Sequence, residues 1–208
     1  MNQYLGTEFL AVLPDASASA DFPQGQRRRT LDAGTGIRAV VPQDDLPYSS
    51  RQFPWVTTDR AEAAALRRFI VARAGRRTAF WVPSWRQDLE LAAPAGGADS
   101  SIDIVRVGYS VHLWPGSGAR RHLALCSHTS QFILRRVVSA TDNGDGSETL
   151  ELLGPNGEGS LGTAVGPTWL VMFLRLCRLD SDDVLIKWDG IVGSAVLTMR
   201  ELPLEAPL

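Results

Sequence analysis

At 208 residues and 22.6 kDa, with 44% apolar residues, the chain can bury a core of its own, which excludes global disorder. Its 21 basic and 23 acidic residues nearly cancel to a net charge of −2, which argues against a dedicated nucleic-acid binder, since such a protein carries a strongly basic face. No run approaches the ~20 apolar residues of a membrane span, so membrane insertion is not expected, and "MNQYLGTEFLAVLPDAS" lacks the basic start of a signal peptide.

In chain order, the first segment is poor in periodicity. "DASASADFPQGQRRR" is expected to be a surface loop or an arm that orders on a neighbour, and its Arg27, Arg28 and Arg29 form a short basic run of the kind usually found in a solvated turn. A helix follows over residues 59–74. Asp59 and Glu62 have capping-box spacing, Leu66, Phe69 and Ile70 form an apolar stripe, and Gly75 is the expected stop. Directly after it, "GRRTAFWVPSWRQDLEL" crowds Phe80, Trp81 and Trp85 around Pro83. An extended segment there puts Phe80 and Trp81 on opposite faces, one packing under the helix and the other free to meet a second subunit.

Nearly everything else reads as β. "VRVGYSVHL" (105–113) alternates strictly, with Val105, Val107, Tyr109, Val111 and Leu113 on one face of an expected strand. "SQFILRRVVSA" and "SETLELL" flank the Gly/Asp/Asn loop of a hairpin. "TWLVMFLRLCRL" is apolar on both faces in its first half, as a central strand is, and "DVLIKWDG" with "GSAVLTMREL" forms a last hairpin. Two cysteines, Cys126 and Cys177, are too few for a disulfide framework and are expected to be buried thiols. The sum is a mainly β fold, a sandwich or barrel with one packed helix. It is expected as a single structural domain over residues 1–208, its core drawn from 25–95 and 177–205 around a central β-rich segment, 96–176.

The residues give little sign of chemistry. "GEGSLG" (157–162) fits G-x-G-x-x-G, but Gly166-Pro167 would stop the helix that a dinucleotide site needs, so the segment reads as a turn and no cofactor is expected. "TDNGDGSETLEL" lacks the first carboxylate and the closing bidentate Glu of a calcium loop and reads as a hairpin tip. His122, Cys126 and His128 share one face of an expected strand, yet at ~3.3 Å per residue the two histidines stand about 20 Å apart, too far for one ion. Cys126 and His128 could meet a metal only with ligands from other strands, His112 being one candidate. No serine occupies a G-x-S-x-G elbow. No catalytic, cofactor or metal residue is assigned, and an enzyme is not expected.

The helix end "RRFIVARAGRR", the following "AFWVPSWRQDL" and the chain end "VLIKWDG…MRELPLEAP" together resemble the distal tail proteins of long flexible-tailed phages and their relatives in gene transfer agents. The matching residues are Phe69, Arg73, Gly75 and Arg76, then Phe80, Trp81, Pro83, Trp85 and Asp88, and finally Trp188, Asp189, Glu201, Leu202 and Pro203. The resemblance covers residues 25–92 and 178–205 and treats 96–176 only as further strands. It implies a tail-tube-type domain and a structural role in the virion, made in the host cytoplasm. The implied assembly is a homo-oligomer, a hexameric ring at the tail tip or baseplate that joins the tail tube protein to the baseplate hub protein and receptor-binding apparatus. Its lumen would pass the tape measure protein and DNA. In that setting Phe80, Trp81, Trp85, Arg27, Arg28 and Arg29 are the interface candidates. The alternatives are another tail component (tube, terminator or hub subunit) or a soluble β-sandwich ligand-binding module.

Overall fold

The computed structural model describes residues 3–15, 24–25, 28–32, 38–42, 48–116, 118–189, 192–203 and 205–206, and side chains only outside 24–48. Among the described residues the fold is mainly β with one α-helix. Two compact units make up the chain: Met1–Val12, Ala79–Leu176 and Glu205–Leu208 form the first, Leu13–Thr78 and Cys177–Leu204 the second. In chain order the early strands are β1 (Gln3–Tyr4), β2 (Thr7–Glu8), β3 (Gln24–Gly25), β4 (Arg28–Asp32), β5 (Arg38–Pro42) and β6 (Tyr48–Thr57), followed by helix α1 (Arg60–Arg73). Then come β7 (Phe80–Pro83), β8 (Ser101–Val105), β9 (His122–Cys126), β10 (Phe132–Asp142), β11 (Ser147–Leu153), β12 (Leu170–Leu179), β13 (Ile186–Asp189) and β14 (Val192–Glu201).

The first unit is a barrel-like sheet in the order β12-β9-β10-β11-β8. Its open side is closed by the segment after β7. Leu89 bridges Val171 on β12 and Leu91 bridges Ile104 on β8, while Ala92 N donates to Asp103 O at 2.8 Å. The sequence reading groups 79–95 with the flanking segments. The structure packs it with 96–176, because these bridges complete the sheet that 96–176 begins. Period-two alternation then sorts the apolar side chains. Leu123 and Leu125 of β9 and Val171 and Phe173 of β12 enter one cluster, with Ile102, Leu150 and Leu152. Ala124 and Cys126, with Met172, Leu174 and Leu176, enter a second cluster together with Tyr4, Phe9 and Trp81.

One expected strand is not a strand. Tyr109–Leu113 forms a π-helical turn, with Trp114 N donating to Tyr109 O at 2.8 Å. Gly108, at φ 75°, breaks the extended run in a conformation most residues avoid. The side chain of Glu148 then takes hold of the freed amides. Its carboxylate, wholly buried, accepts from Val107 N (3.1 Å), Tyr109 N (3.0 Å), Ser110 N (2.9 Å) and the Ser110 hydroxyl (2.6 Å). Val107 and Val111, expected to face a core, are exposed.

In the second unit β6 and β14 pair antiparallel from Gly193↔Thr57 to Arg200↔Ser50, and β13 pairs β14 from Ile186↔Ala195 to Asp189↔Val192. Alternation buries Phe53 and Trp55 of β6 with Ala195, Leu197 and Met199 of β14 on one face. Helix α1 lies against β6 and β14 through Ala63, Leu66 and Phe69. Asp59 caps it, accepting from Glu62 N at 2.7 Å. Glu62 reaches back one residue further than the capping box requires, accepting from Thr58 N at 2.9 Å. The stop comes a residue earlier than expected: Ala74 is already left-handed at φ 48°, with Gly75 following at φ 64°. Asp182 secures this end by accepting from Arg76 N at 3.0 Å.

Two stability outcomes follow from these contacts. Ala74→Gly is expected to stabilise the protein by roughly 0.5–1 kcal/mol, as glycine occupies left-handed caps without the Cβ penalty; a lower denaturation midpoint would contradict the assigned cap. At Glu148, burial opposes ionisation, but the Ser110 hydroxyl and the amides of Ser110, Tyr109 and Val107 outweigh it and hold the carboxyl at about 2. A depressed folded value means that its contribution is fully present above the ordinary glutamate range and is lost as pH falls through about 2. Glu148→Gln is therefore expected to cost ~1–3 kcal/mol at neutral pH, because an amide NH₂ faces N–H donors. The variant should also lose less stability than wild type between pH 5 and pH 3 in denaturant titrations. Identical acid responses would remove Glu148 from this role.

Candidate functional site

The aromatic junction is an internal structure. All four residues of β7 are buried, with Phe80 0% and Trp81 1% exposed. The expectation that one of them faces a neighbouring subunit is corrected, because both faces of this short strand are covered within the chain. Trp81 stands edge-on to Tyr4 (5.3 Å between centroids) and 4.6 Å from the His122 ring. The Tyr4 hydroxyl is hydrogen-bonded to His122 Nδ1 at 3.0 Å, and burial pushes the Tyr4 phenol well above its ordinary value. His122 is thus occupied as a core aromatic partner.

The turn after β7 is fixed by polar contacts. Asp88 accepts from the Ser84 hydroxyl and, at 2.8 Å, from Phe173 N on β12. Trp85 sits half-buried at φ 57°, a conformation that costs a residue of its size roughly 1–3 kcal/mol, with its ring 6.0 Å from Phe132. Of the basic run, Arg27 lies outside the described residues. Arg28 and Arg29 belong to β4, paired with Pro42 and Val41 of β5, and their side chains lie outside the described residues. The arm expected within "DASASADFPQGQRRR" also falls mostly outside them.

The motifs weighed for chemistry take the following places. Gly154–Gly162 is irregular, with Gly157 at φ 87° and Gly162 at φ 81°, and Arg135 clamps it by donating to Ser160 O (2.7 Å) and Leu161 O (3.0 Å). The "TDNGDG" tip is closed by Asp145, which accepts from the Ser147 hydroxyl at 2.6 Å and its amide at 2.9 Å; the hydroxyl bond leads in holding the Asp145 carboxyl below the usual carboxylate range. Cys126 and Cys177 are buried, and burial raises the Cys126 thiol. Among the described residues no set of three or more His, Cys, Asp or Glu side chains converges in metal-binding geometry. No helix among them is long and apolar enough to cross a membrane.

Apart from exposed valines such as Val107 and Val111 in the first unit, exposed apolar side chains gather around one groove in the second. Leu185 (69%), Val196 (57%), Trp188 (54%) and Val56 (48%) are uncovered, and a groove of 340 Å³ runs between Pro54, Val56, Leu185, Lys187 and Val196. Alternation creates it. On β6 and β14 the residues between the buried ones, Pro54, Val56 and Val196, point outward and are apolar where a solvated face would carry charge. The sequence held that signal in "QFPWV" and "SAVLTM", but it becomes legible only once the inward set is known. Trp188 covers the bare backbone of Gly193, where an added Cβ would stand 3.1 Å from its ring. Thr57 completes the corner by donating to Gly193 O at 3.0 Å. No family profile matches the chain, and none of the curated proteins matches it.

These placements separate the two groups of tryptophans. Trp81→Ala is expected to destabilise the chain by ~3–5 kcal/mol, as emptying a packed aromatic site does. Trp188→Ala should stay within about 1 kcal/mol of wild type in the free chain. Equal losses in equilibrium denaturation would contradict the assignment of Trp81 to the core and Trp188 to the rim.

Proposed function

We propose that this chain is a structural subunit of a phage-type tail, forming a ring at the distal end of the tail that joins the tube to the baseplate hub and receptor-binding apparatus. The observation that carries the proposal is the uncovered apolar rim of the second unit. Leu185, Val196 and Val56 flank one groove on the outward face, where a lone soluble domain would place charge, and Trp188 is uncovered on the other face of the same sheet at its β13 edge. The resemblance at the helix end, the "AFWVPSWRQDL" turn and the chain end adds to it, as does the mainly β architecture. The buried aromatic junction serves this role indirectly, as a rigid part of the first unit's core. In the proposed ring the tape measure protein and DNA pass through the lumen, and no reaction is catalysed.

A second reading has one observation in its favour. The 340 Å³ groove beside Val56 and Leu185 is large enough for a small apolar ligand, as a soluble binding module would need. Solution mass and shape separate the two. Light scattering with negative-stain imaging of the concentrated chain, alone and with its tail neighbours, is expected to show a closed ring with a central hole, built from a whole number of 22.6 kDa subunits. A monomer under both conditions, with tryptophan fluorescence that responds to a small ligand, would overturn the ring.

A further inference from the structure

We propose that the outer edge of β13 is a self-complementary contact at which two copies of this chain pair antiparallel, Lys187 of each against the partner's Asp189. Among the described residues β13 pairs with β14 alone, which leaves a row of backbone donors and acceptors along its other edge. Lys187, Trp188 and Asp189 are all exposed. Neither Lys187 nor Asp189 makes an ion pair among the described residues, and two residues apart on one strand they share a face without meeting.

A lysine on an edge strand ordinarily deters pairing. Here the order Lys-Trp-Asp turns deterrence into register selection. Centring the two-fold on Trp188 sets both lysines opposite both aspartates and the two indoles opposite each other on the other face. Centring it on Lys187 opposes the two lysines, and centring it on Asp189 opposes the two aspartates, each an unfavourable cross-strand pair. One register is therefore favoured and its neighbours are penalised, which is how specific strand edges reject alternatives. Trp188 leans toward Gly193 of β14 and keeps 54% of its surface uncovered, so the indole leaves the outer edge open to a second strand. The contact is isologous and so is separate from the head-to-tail contacts that close a ring; it stands or falls without the ring proposal.

The test is a charge exchange read by weight-average mass. Lys187→Asp and Asp189→Lys, each alone, are expected to halve the mass of whatever assembly the wild-type chain forms at high concentration. An equimolar mixture of the two should restore it, because the reversed edges are now complementary to each other. The double variant K187D/D189K should pair like wild type. Equal masses for wild type and both single variants would overturn the proposal, as would a mixture that stays at half mass. Should a reversed variant fail to fold by circular dichroism, Lys187→Gln and Asp189→Asn carry the same test. Each alone is expected to weaken association, with part of it recovered on mixing because one of the two Lys187–Asp189 pairs is then restored, and unchanged association in both would be equally fatal.

Discussion

A strand whose side chains alternate between two apolar clusters cannot slip by one residue without exchanging both sets, and β9 and β12 are such strands. Leu123, Leu125, Val171 and Phe173 fill the barrel cluster, while Ala124, Cys126, Met172 and Leu174 fill the layer behind it. The pairing Leu170↔Cys126 through Phe173↔Leu123 locks the two strands in that register. Everything else in the first unit is arranged around this pair. Trp81 and Tyr4 cover the outer layer, Asp88 fixes the turn after β7 by capturing Phe173 N on β12, and Leu89 and Leu91 carry the sheet round from β12 to β8.

Closure of that kind disposes of edges and amides alike. The edge of β8 is taken by the segment that includes Leu91 and Ala92, and the amides freed where the chain leaves β8 end on Glu148. The second unit is finished differently. Its inward face is filled by Phe53, Trp55, Leu197 and the helix residues Leu66 and Phe69, but its outward face keeps Val56 and Val196, and its β13 edge keeps Trp188. This contrast moves the proposed assembly surface away from the aromatic-rich turn. In this chain the densest aromatic run serves the core, and the surface proposed for partners is the sparser one.

Much of the fold is legible from local chemistry. The helix announces itself through Asp59, Glu62 and the Leu66–Phe69 stripe, the hairpin of β10 and β11 through "TDNGDG", and the central character of β12 through its unbroken apolar run. The failures share one cause, action at a distance. "VRVGYSVHL" has the pattern of a strand, and what makes it a π-helical turn is a carboxylate on Glu148, remote in sequence, combined with Gly108. Phe80 and Trp81 alternate as a one-sided strand would, and what buries both is a second layer built partly from Tyr4 and Phe9 at the start of the chain. The rim was illegible for the converse reason: Val56 and Val196 look like core residues until their neighbours are seen to face inward.

The central claim is that the uncovered rim of the second unit, rather than the aromatic junction, is what assembly covers. Hydroxyl-radical footprinting of the free chain and of the chain in its assembled form measures this residue by residue. The account predicts strong protection of Leu185, Trp188 and Val196 on assembly, with Phe80 and Trp81 unreactive in both states. Trp188 remaining as reactive in the assembled form as in the free chain would contradict it.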